Sequence, residues 1–345
     1  MHYCGLDVAM KTSYIYVADS LGRKSTSGEI PTSKQELKRQ LRPYVKRGLK
    51  VAIEAGNQAV WIYEVLEGMG AEVTVVNPTK VKAIAESRRK TDKIDAKVLC
   101  ELLRLDGLPH PVHMPGSETR ELRGMLVARR QLISARTKLC NVIRGMLRQE
   151  GIRLPMRALS SRVGWDRLLG RRYRLTHIRP TIESYARSFA ALSESIKELD
   201  CQLRERERND ERIERLKTIP NVGSISSLTL VAAVDDVHRF SSSRKIVSYS
   251  GLAPTVNASG ERVVYGPISR EGRSELRAVW VQVAHRMAHD RSAAARPLRR
   301  WFNRVALRRG KKTATVALAR KLLTIAYQML KEGEDYKPAR IGAAA

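Results

Sequence analysis

Residues 50–55 read KVAIEA, an apolar run that is interrupted near its end by one acid, Glu54. Such a run is typical of a central strand that is buried on both faces of a sheet. Three earlier segments, Tyr3–Ala9, Thr12–Asp19 and Lys24–Ile30, also have the composition of strands. The second of them, TSYIYVAD, is rich in the β-branched and aromatic residues that favour strands. We therefore expect three meandering strands before the central one.

Helical and strand patterns alternate after the third strand. A capping box that begins at Ser33 predicts a first helix. A helix over Trp61–Met69, a strand over Glu72–Val76 and a closing helix over Asp92–Arg104 follow. The order β-β-β-α-β-α-β-α predicts a layered α/β domain of the ribonuclease-H type.

The middle of the chain shows helical periodicity. A heptad-like seam is formed by Tyr185, Phe189, Leu192, Ile196, Leu199 and Leu203. This seam fits either an antiparallel hairpin within one chain or a contact between two chains, and the sequence leaves both open. Gly151–Pro180 breaks the pattern and is expected to connect two long helices. We thus predict an α/β domain at residues 1–108, a helical, coiled-coil region at 109–212 and a mainly α domain at 213–335.

A change of character marks the start of the third region. Residues 219–223 read IPNVG and precede the apolar stretch Ser227–Val234. This pattern resembles a helix-hairpin-helix element, in which backbone amides and a helix N-terminus hold a phosphate. A tight interhelical turn without a ligand is the alternative. Farther on, residues 251–266 are rich in turn formers, with an extended segment at Arg262–Tyr265.

The charge of the chain points to a polyanionic partner. Its 345 residues include 64 Lys and Arg against 35 Asp and Glu, a formal charge of +29. Eleven bases and no acid lie between Arg291 and Leu330, so phosphate contact with counterion release is expected, although a merely solvated face is the alternative. Binding of single strands by base stacking requires aromatic side chains. Because the chain has only three Phe, contact with a groove and with phosphates is favoured. The candidate nucleic-acid contacts are Arg88, Arg89, Lys90, Gly223, Arg262, Arg270, Arg273, Arg299, Arg300, Arg308, Arg309, Lys311 and Lys312.

Cysteine use and hydropathy restrict the class of protein. The four cysteines, Cys4, Cys100, Cys140 and Cys201, form no Cys-x-x-Cys pair, which argues against a zinc site or a disulfide framework. No apolar run approaches the roughly 18 residues that a membrane span requires. We expect a cytoplasmic protein that associates with the nucleoid.

Four carboxylates occupy positions from which they could converge. Asp7 lies in the first predicted strand and Glu54 in the central one, while Asp92 and Asp95 share a face at the start of the closing helix. A carboxylate that is buried without a partner is costly, and two-metal phosphoryl chemistry requires several converging carboxylates. The pattern therefore predicts a site for Mg²⁺ or Mn²⁺. The alternative is that Asp92 and Asp95 only favour a helix N-terminus and that Asp7 pairs with Lys11.

Several motifs resemble a known family. GLDVA around Asp7, IEAG around Glu54 and KTDKIDA around Asp92 and Asp95 look like the Asp-Glu-Asp-Asp motif of the IS110 family of bacterial insertion-sequence transposases, including its IS1111 subgroup. IPNVG, YSGLAP, ASG and ISREGRSELR are similar to that family's transposase domain, in the same order. The resemblance covers most of the chain and is weakest over the helical middle and the last residues. It implies a RuvC-like first domain and an RNA-guided serine recombinase.

The resemblance also implies roles for residues and partners. Ser259, followed by Gly260, corresponds to the serine that attacks a DNA phosphate and forms a transient phosphoserine. From its local sequence alone Ser259 is an ordinary turn residue, so this role depends on the motif. Arg262, Arg270 and Arg273 lie close in sequence and could stabilise the charge of the phosphorane. An element-encoded noncoding guide RNA would pair with donor and target DNA, and the chain would act as a dimer, with a tetramer in the synaptic complex.

Two other functions remain open at this stage. A RuvC-like, structure-specific endonuclease that resolves DNA junctions would use the same four acids with water as the nucleophile, and Ser259 would be a turn residue. A basic nucleic-acid-binding protein without catalysis would need neither Asp7 nor Glu54.

Overall fold

The computed structural model describes residues 1–84, 92–170, 177–259 and 262–338, and of residues 257–259 and 262–263 the backbone alone. It divides into two compact units, Met1–Pro115 and Gly116–Ala345. Among the described residues, no helix is both long and apolar enough to cross a membrane.

The first unit is a mixed α/β domain built on a five-stranded sheet. Its elements are β1 (His2–Val8), β2 (Thr12–Asp19), β3 (Lys24–Pro31), α1 (Lys34–Val45), β4 (Leu49–Glu54), α2 (Ala59–Glu67), β5 (Glu72–Val76), α3 (Pro78–Ile84) and α4 (Asp92–Arg104). The strand order is β3-β2-β1-β4-β5. The first three strands form an antiparallel meander, and β1, β4 and β5 are parallel. The predicted order of elements is confirmed, and α3 is an additional short helix.

Each face of this sheet buries apolar side chains against helices. On one face, Leu6 and Ile53 pack in a core with Leu37 of α1 and Ile62 of α2. On the other face α4 contributes its buried residues Ala96, Leu99 and Cys100. Because strand side chains alternate between faces, every second residue of β1 and β4 points toward α4.

The second unit is mainly helical. Its elements are α5 (Ser117–Gln149), α6 (Arg162–Leu169), α7 (Arg179–Arg208), α8 (Glu211–Lys217), α9 (Ser224–Val234), α10 (Ser243–Tyr249), β6 (Pro254–Ser259), β7 (Arg262–Ile268), α11 (Ser274–His289), α12 (Arg296–Arg309) and α13 (Lys311–Glu332). The fully buried Trp280 lies in the core that α9, α11 and α13 share.

Helices α5 and α7 form an antiparallel hairpin within the chain. Arg129 Nε donates a hydrogen bond of 2.5 Å to Asp200, and Arg136 donates one of 3.3 Å to Ser193. From the first bond to the second, the residue number rises along α5 and falls along α7, so the two helices run in opposite directions. The structure thus realises the intrachain alternative for the seam on α7.

Two local predictions about this unit were incomplete. The segment Gly151–Pro180 contains α6, whose buried Trp165 donates to the carbonyl of Leu159 at 3.2 Å, so it is more than a connection. An extended segment was predicted only at Arg262–Tyr265, whereas β6 also forms a strand and pairs with β7. The composition of β6, PTVNAS, favours turns, and its strand conformation comes from the cross-strand pairing.

Candidate active site

Asp7 and Glu54 occupy matching positions in neighbouring parallel strands. Leu6 of β1 stands opposite Ile53 of β4 in the parallel register, and the two acids are the next residue on each strand. Both are half-buried, and each takes part in at least one polar or electrostatic interaction. Their Cα atoms therefore lie side by side at the carboxyl end of the sheet.

The face that carries these acids is the one that α4 covers. A Cβ atom added to Gly5 would lie 2.6 Å from the backbone nitrogen of Cys100, and closer still to the carbonyl oxygen of Ala96. Gly5 thus faces α4 at backbone-to-backbone distance. Since Asp7 follows Gly5 by two residues, it lies on the same face.

Helix α4 runs antiparallel to β1 and places its acids near this end. The thiol of Cys100 donates to the carbonyl of Tyr3 at 3.2 Å, and Ala96 lies over Gly5. Four helical residues advance about 6 Å and two strand residues about 6.6 Å, so continuing this match brings Asp92 to the level of Asp7. Asp92 is exposed, and Asp95, beside Ala96, is half-buried.

The structure thus brings the four predicted acids to one end of one face of the sheet. Among the described residues, no three side chains of Asp, Glu, His or Cys are close enough together to hold a metal ion. The predicted basic residues Arg88, Arg89 and Lys90 lie outside the described residues. Asp92 and Asp95 stand in the first turn of α4, where their charge also favours the helix dipole.

Ser259 ends β6 at the turn of a β-hairpin in the second unit. Its Cα partner across the hairpin is Arg262, and Gly260 and Glu261 between them lie outside the described residues. Farther down the hairpin Val256 is 52% exposed and Tyr265 is 70% exposed. The structure therefore places Ser259 at the end of an exposed hairpin.

The base of this hairpin is clamped by two glycine-containing segments. A Cβ atom on Gly251, where φ is +68°, would lie 2.7 Å from the carbonyl oxygen of Glu271, and one on Gly272, where φ is +120°, would overlap the carbonyl of Tyr249. The amide of Arg273 donates to that carbonyl at 2.9 Å, and the amide of Arg270 donates to the carbonyl of Gly251 at 3.2 Å. The segments YSGLAP and ISREGRSELR are thus joined through their backbones.

Arg273 has a defined partner beside this clamp. Its Nε donates to the hydroxyl of Tyr249 at 3.0 Å, and the guanidinium of Arg239 lies 4.8 Å from the centre of the same ring. Burial alone would raise the pKa of Tyr249, but Arg273 and Arg239 hold it below its usual value. Sequence reasoning missed Tyr249 and Arg239, although Tyr249 opens the YSGLAP motif.

The other predicted contact residues differ in how far they are available to a ligand. Gly223 precedes α9, and its amide donates to Ser226 Oγ at 2.9 Å. Arg299 donates to the carbonyl of Asp290 at 2.6 Å, so it holds α12 to the end of α11. Among these candidates the exposed ones are Arg270, Arg300, Arg308, Arg309, Lys311 and Lys312. Arg308, Arg309, Lys311 and Lys312 flank the junction of α12 and α13. Arg300 lies near the start of α12, and Arg270, with φ of +59°, lies beside the hairpin base.

Comparison with known proteins finds relatives along most of the chain. A model for transposases of the IS110 DEDD type matches residues 4–151, and a model described as Transposase IS116/IS110/IS902 family matches residues 213–298. A putative transposase, y4pF/y4sB, of Sinorhizobium fredii is 30% identical over 84% of this chain and 74% of its own length. The transposase for insertion sequence element IS1111A of Coxiella burnetii is 28% identical over 83% of this chain and 79% of its own length. The pilin gene-inverting protein of Moraxella bovis is 28% identical over 77% of this chain and 74% of its own length.

The first match spans the strands and the helix that carry the four acids, and the second spans α8 to the start of α12, including the hairpin with Ser259. With these two matches in chain order and relatives aligned over most of its length, the chain belongs to the IS110/IS116/IS902 family of transposases.

Proposed function

We propose that this chain is a DNA transposase that excises and inserts its own element by strand exchange, with Ser259 as the nucleophile and a metal site at Asp7, Glu54, Asp92 and Asp95. The observation that carries this proposal is the parallel register that sets Asp7 beside Glu54 on the face of the sheet that α4 covers. The related transposases and gene-inverting proteins support the reaction class.

The donor set suits a hard divalent cation. All four proposed ligands are carboxylates, and oxygen ligands are those that Mg²⁺ and Mn²⁺ prefer. A bound Mg²⁺ or Mn²⁺ would neutralise charge that develops on the phosphate oxygens. In a RuvC-like domain, the strands would supply Asp7 and Glu54, and the first turn of α4 would supply Asp92 and Asp95. The β3-β2-β1-β4-β5 order with three leading antiparallel strands is the arrangement that the ribonuclease-H interpretation requires.

Ser259 would carry the covalent step. Its Oγ attacks a DNA phosphorus atom, an Oγ–P bond forms, one P–O bond to the neighbouring nucleotide breaks, and the departing oxygen takes up a proton. The phosphoserine retains the ester, so a hydroxyl of another strand can displace Ser259 without an external energy source. The clamped hairpin base supports this role because it fixes the two ends of the hairpin that contains Ser259. Arg262 and Arg270 are candidates for stabilising the phosphorane charge.

Sequence choice would be supplied by base pairing. With a formal charge of +29, the chain suits an RNA that it holds by the backbone while that RNA pairs with donor and target DNA. We propose an element-encoded noncoding RNA as this partner. The exposed basic residues at the junction of α12 and α13 are the candidate phosphate contacts.

Strand exchange between two DNAs would require more than one copy of the chain. Leu192 and Leu199 of α7 remain half-buried although α5 already packs on this helix, so the hairpin still offers apolar surface. We propose that a second copy covers it, giving a dimer and a tetramer in the synaptic complex.

A covalent-trapping experiment tests the proposal. The full chain is incubated with Mg²⁺, RNA from the sequence flanking its gene and labelled DNA that spans the element junction, then denatured and separated on a gel. We expect label on the protein for the wild type and none for Ser259→Ala or Asp92→Asn. Ser241→Ala and Asp106→Asn alter an exposed serine and an exposed aspartate elsewhere and should retain the label.

Other outcomes would replace the proposal. Cleaved DNA without an adduct, unchanged in Ser259→Ala but lost in Asp92→Asn, would make the chain a resolvase-like nuclease that uses water. DNA binding with neither cleavage nor adduct, unaltered in all four variants, would leave a basic binding protein. Omitting the RNA tests guidance separately, because an unguided enzyme would form the adduct without it.

A further inference from the structure

A cavity of about 580 Å³ lies beneath the hairpin that carries Ser259. It is lined by Pro254 and Val256 of β6, by α10 and by α13, and its volume is within the range of small-ligand sites. All of its lining residues belong to the second unit. Its position beside the hairpin, rather than its volume, suggests which ligand it would take.

The side chains around this cavity suit a nucleobase. Trp301 offers a flat ring, and the Lys321 ammonium lies 5.3 Å from the centre of that ring. The cavity carries charges of both signs, because it is also lined by Arg244, Arg320 and Lys337 and by Glu332, Glu334 and Asp335. A planar ring binds a base by stacking, and donors and acceptors around it can pair with the polar edge of that base.

Tyr336 supplies a second, independent indication of a polar ligand. Tyr336 lines the cavity, and its buried hydroxyl has no hydrogen-bond partner among the described residues. Burial raises the pKa of Tyr336 to about 12, so the hydroxyl keeps its proton at neutral pH and can donate it. A buried donor without a partner is costly, and a ring nitrogen or carbonyl of a base would satisfy it.

We infer that this cavity receives one nucleobase that is turned out of the DNA strand on which Ser259 acts, stacked on Trp301 and hydrogen-bonded by Tyr336. The inference rests on the proposed function, because the strand must lie along the hairpin. Val256 precedes Ser259 by three residues, about 10 Å along a strand. Phosphates of one strand are about 3.4 Å apart along the helix axis, which places the turned-out base about three nucleotides from the scissile phosphate.

Photocrosslinking identifies the base and its pocket. The full-length Ser259→Ala protein, which cannot cut, is bound to junction DNA carrying one 5-iodouracil at successive positions, irradiated, and mapped by mass spectrometry. We expect a crosslink to Trp301 or Tyr336 from one or two adjacent positions, within about three nucleotides of the cleavage site. Crosslinks that reach neither residue would overturn the inference, and a crosslink from iodouracil placed in the RNA would assign the cavity to RNA.

Affinity measurements supply the second readout. Trp301→Ala should weaken junction binding about five- to 150-fold, the effect of losing one stacked base, and Tyr336→Phe about two- to twelve-fold, the effect of one hydrogen bond. Leu307→Ala alters an 88% exposed side chain on the same helix, α12, and should bind like the wild type. Equal affinities for all three variants would refute the pocket.

The proposed serine mechanism and the proposed nucleobase pocket can be contradicted independently of each other. An adduct at Ser259 without the crosslink would leave the transposase proposal intact and remove the pocket. A crosslink at Trp301 without an adduct in the wild type would leave the pocket and remove the serine mechanism.

Discussion

Gly5 of β1 lies directly against the backbone of Ala96 in α4. An added Cβ atom on Gly5 would overlap the carbonyl oxygen of Ala96 and lie 2.6 Å from the nitrogen of Cys100. Because both obstacles are backbone atoms, no change of rotamer could make room for a side chain. This contact sets how closely the helix that begins at Asp92 approaches the strand that carries Asp7.

The substitution Gly5→Ala should therefore shift α4 and reduce the free energy of unfolding by about 1–3 kcal/mol, as overpacking in a core does. Metal-dependent adduct formation should fall with it. Urea unfolding at equilibrium measures the first effect and the trapping gel the second. Gly28→Ala is the matched control, since Gly28 lies in β3 of the same sheet with no atom near its added Cβ. Equal stability of the two variants would contradict the role of the contact.

The base of the Ser259 hairpin should be equally intolerant of a side chain. Gly272→Ala combines a positive φ with overlap against the carbonyl of Tyr249, whereas Gly333→Ala has a positive φ and open space. Both variants lose the backbone freedom of glycine, and we expect Gly272→Ala to lose about 1–3 kcal/mol more. Thermal unfolding compares them. Adduct formation at wild-type level in Gly272→Ala would show that the clamp does not position Ser259.

Glu207, a buried acid near the end of α7, forms an ion pair with the last residue of α8 and accepts a hydrogen bond from the first residue of α9. Lys217 approaches Glu207 at 2.7 Å, and Ser224 donates to the same carboxylate at 2.9 Å. Burial alone would raise the pKa of Glu207, but Lys217 and Ser224 hold it below its usual value. A depressed carboxyl pKa contributes stability that is complete above the ordinary pKa of glutamate and is lost as the pH falls through the folded-state value.

Lys217→Met should consequently destabilise the chain by about 1–3 kcal/mol at neutral pH, because it leaves a buried carboxylate short of a partner. The difference from the wild type should shrink below the ordinary pKa of glutamate. Denaturant unfolding at a series of pH values measures both effects. Lys197→Met removes an exposed partner of Glu194 and should change stability by less than about 0.5 kcal/mol. A difference that persists unchanged in acid would exclude Glu207 as its source.

Sequence reasoning succeeded where burial decides the pattern. KVAIEA predicts the central strand because its apolar residues, Val51, Ala52 and Ile53, are buried, and β4 occupies residues 49–54. It failed where pairing with another strand decides the conformation. The residues of β6 have turn composition, and their extended form depends on a hydrogen-bonded partner strand. Similarly, α6 is short and is fixed by burial of Trp165, a tertiary effect that no periodicity reveals.

In the candidate site, too, some features could be predicted from the sequence and others could not. Asp7 and Glu54 could be placed side by side from strand order alone, since a parallel register aligns the ends of adjacent strands. Ser259 could not be distinguished from other turn serines by any local property, and its assignment came from motif order. The clamp between Gly251 and Gly272 depends on contacts between segments that are about twenty residues apart in the chain. The composition of either segment does not indicate such contacts.

The basic residues of α12 and of the start of α13 should fall into two classes. Each phosphate contact that is lost should reduce the magnitude of the slope of log affinity against log salt by about 0.9. We expect this for Arg308→Ala and for Lys312→Ala, whose side chains are exposed. Arg299→Ala should instead lower stability by about 1 kcal/mol, since Arg299 donates to the carbonyl of Asp290. Filter binding at several salt concentrations separates the classes, and an unchanged slope for both exposed residues would remove this surface from the interface.

The remaining apolar surface on α7 should determine assembly. Leu192 and Leu199 are half-buried, so a second copy could cover them, whereas Leu192→Glu combined with Leu199→Glu would place two charges in that contact. We expect this double variant to have the mass of a single chain by light scattering, with helical content retained in circular dichroism. A control with two acids on the exposed side of the same helix, Ala190→Glu with Gln202→Glu, should keep the wild-type mass. If the leucine variant keeps it too, the copies meet elsewhere, and the α5–α7 hairpin serves only to connect the parts of its own chain.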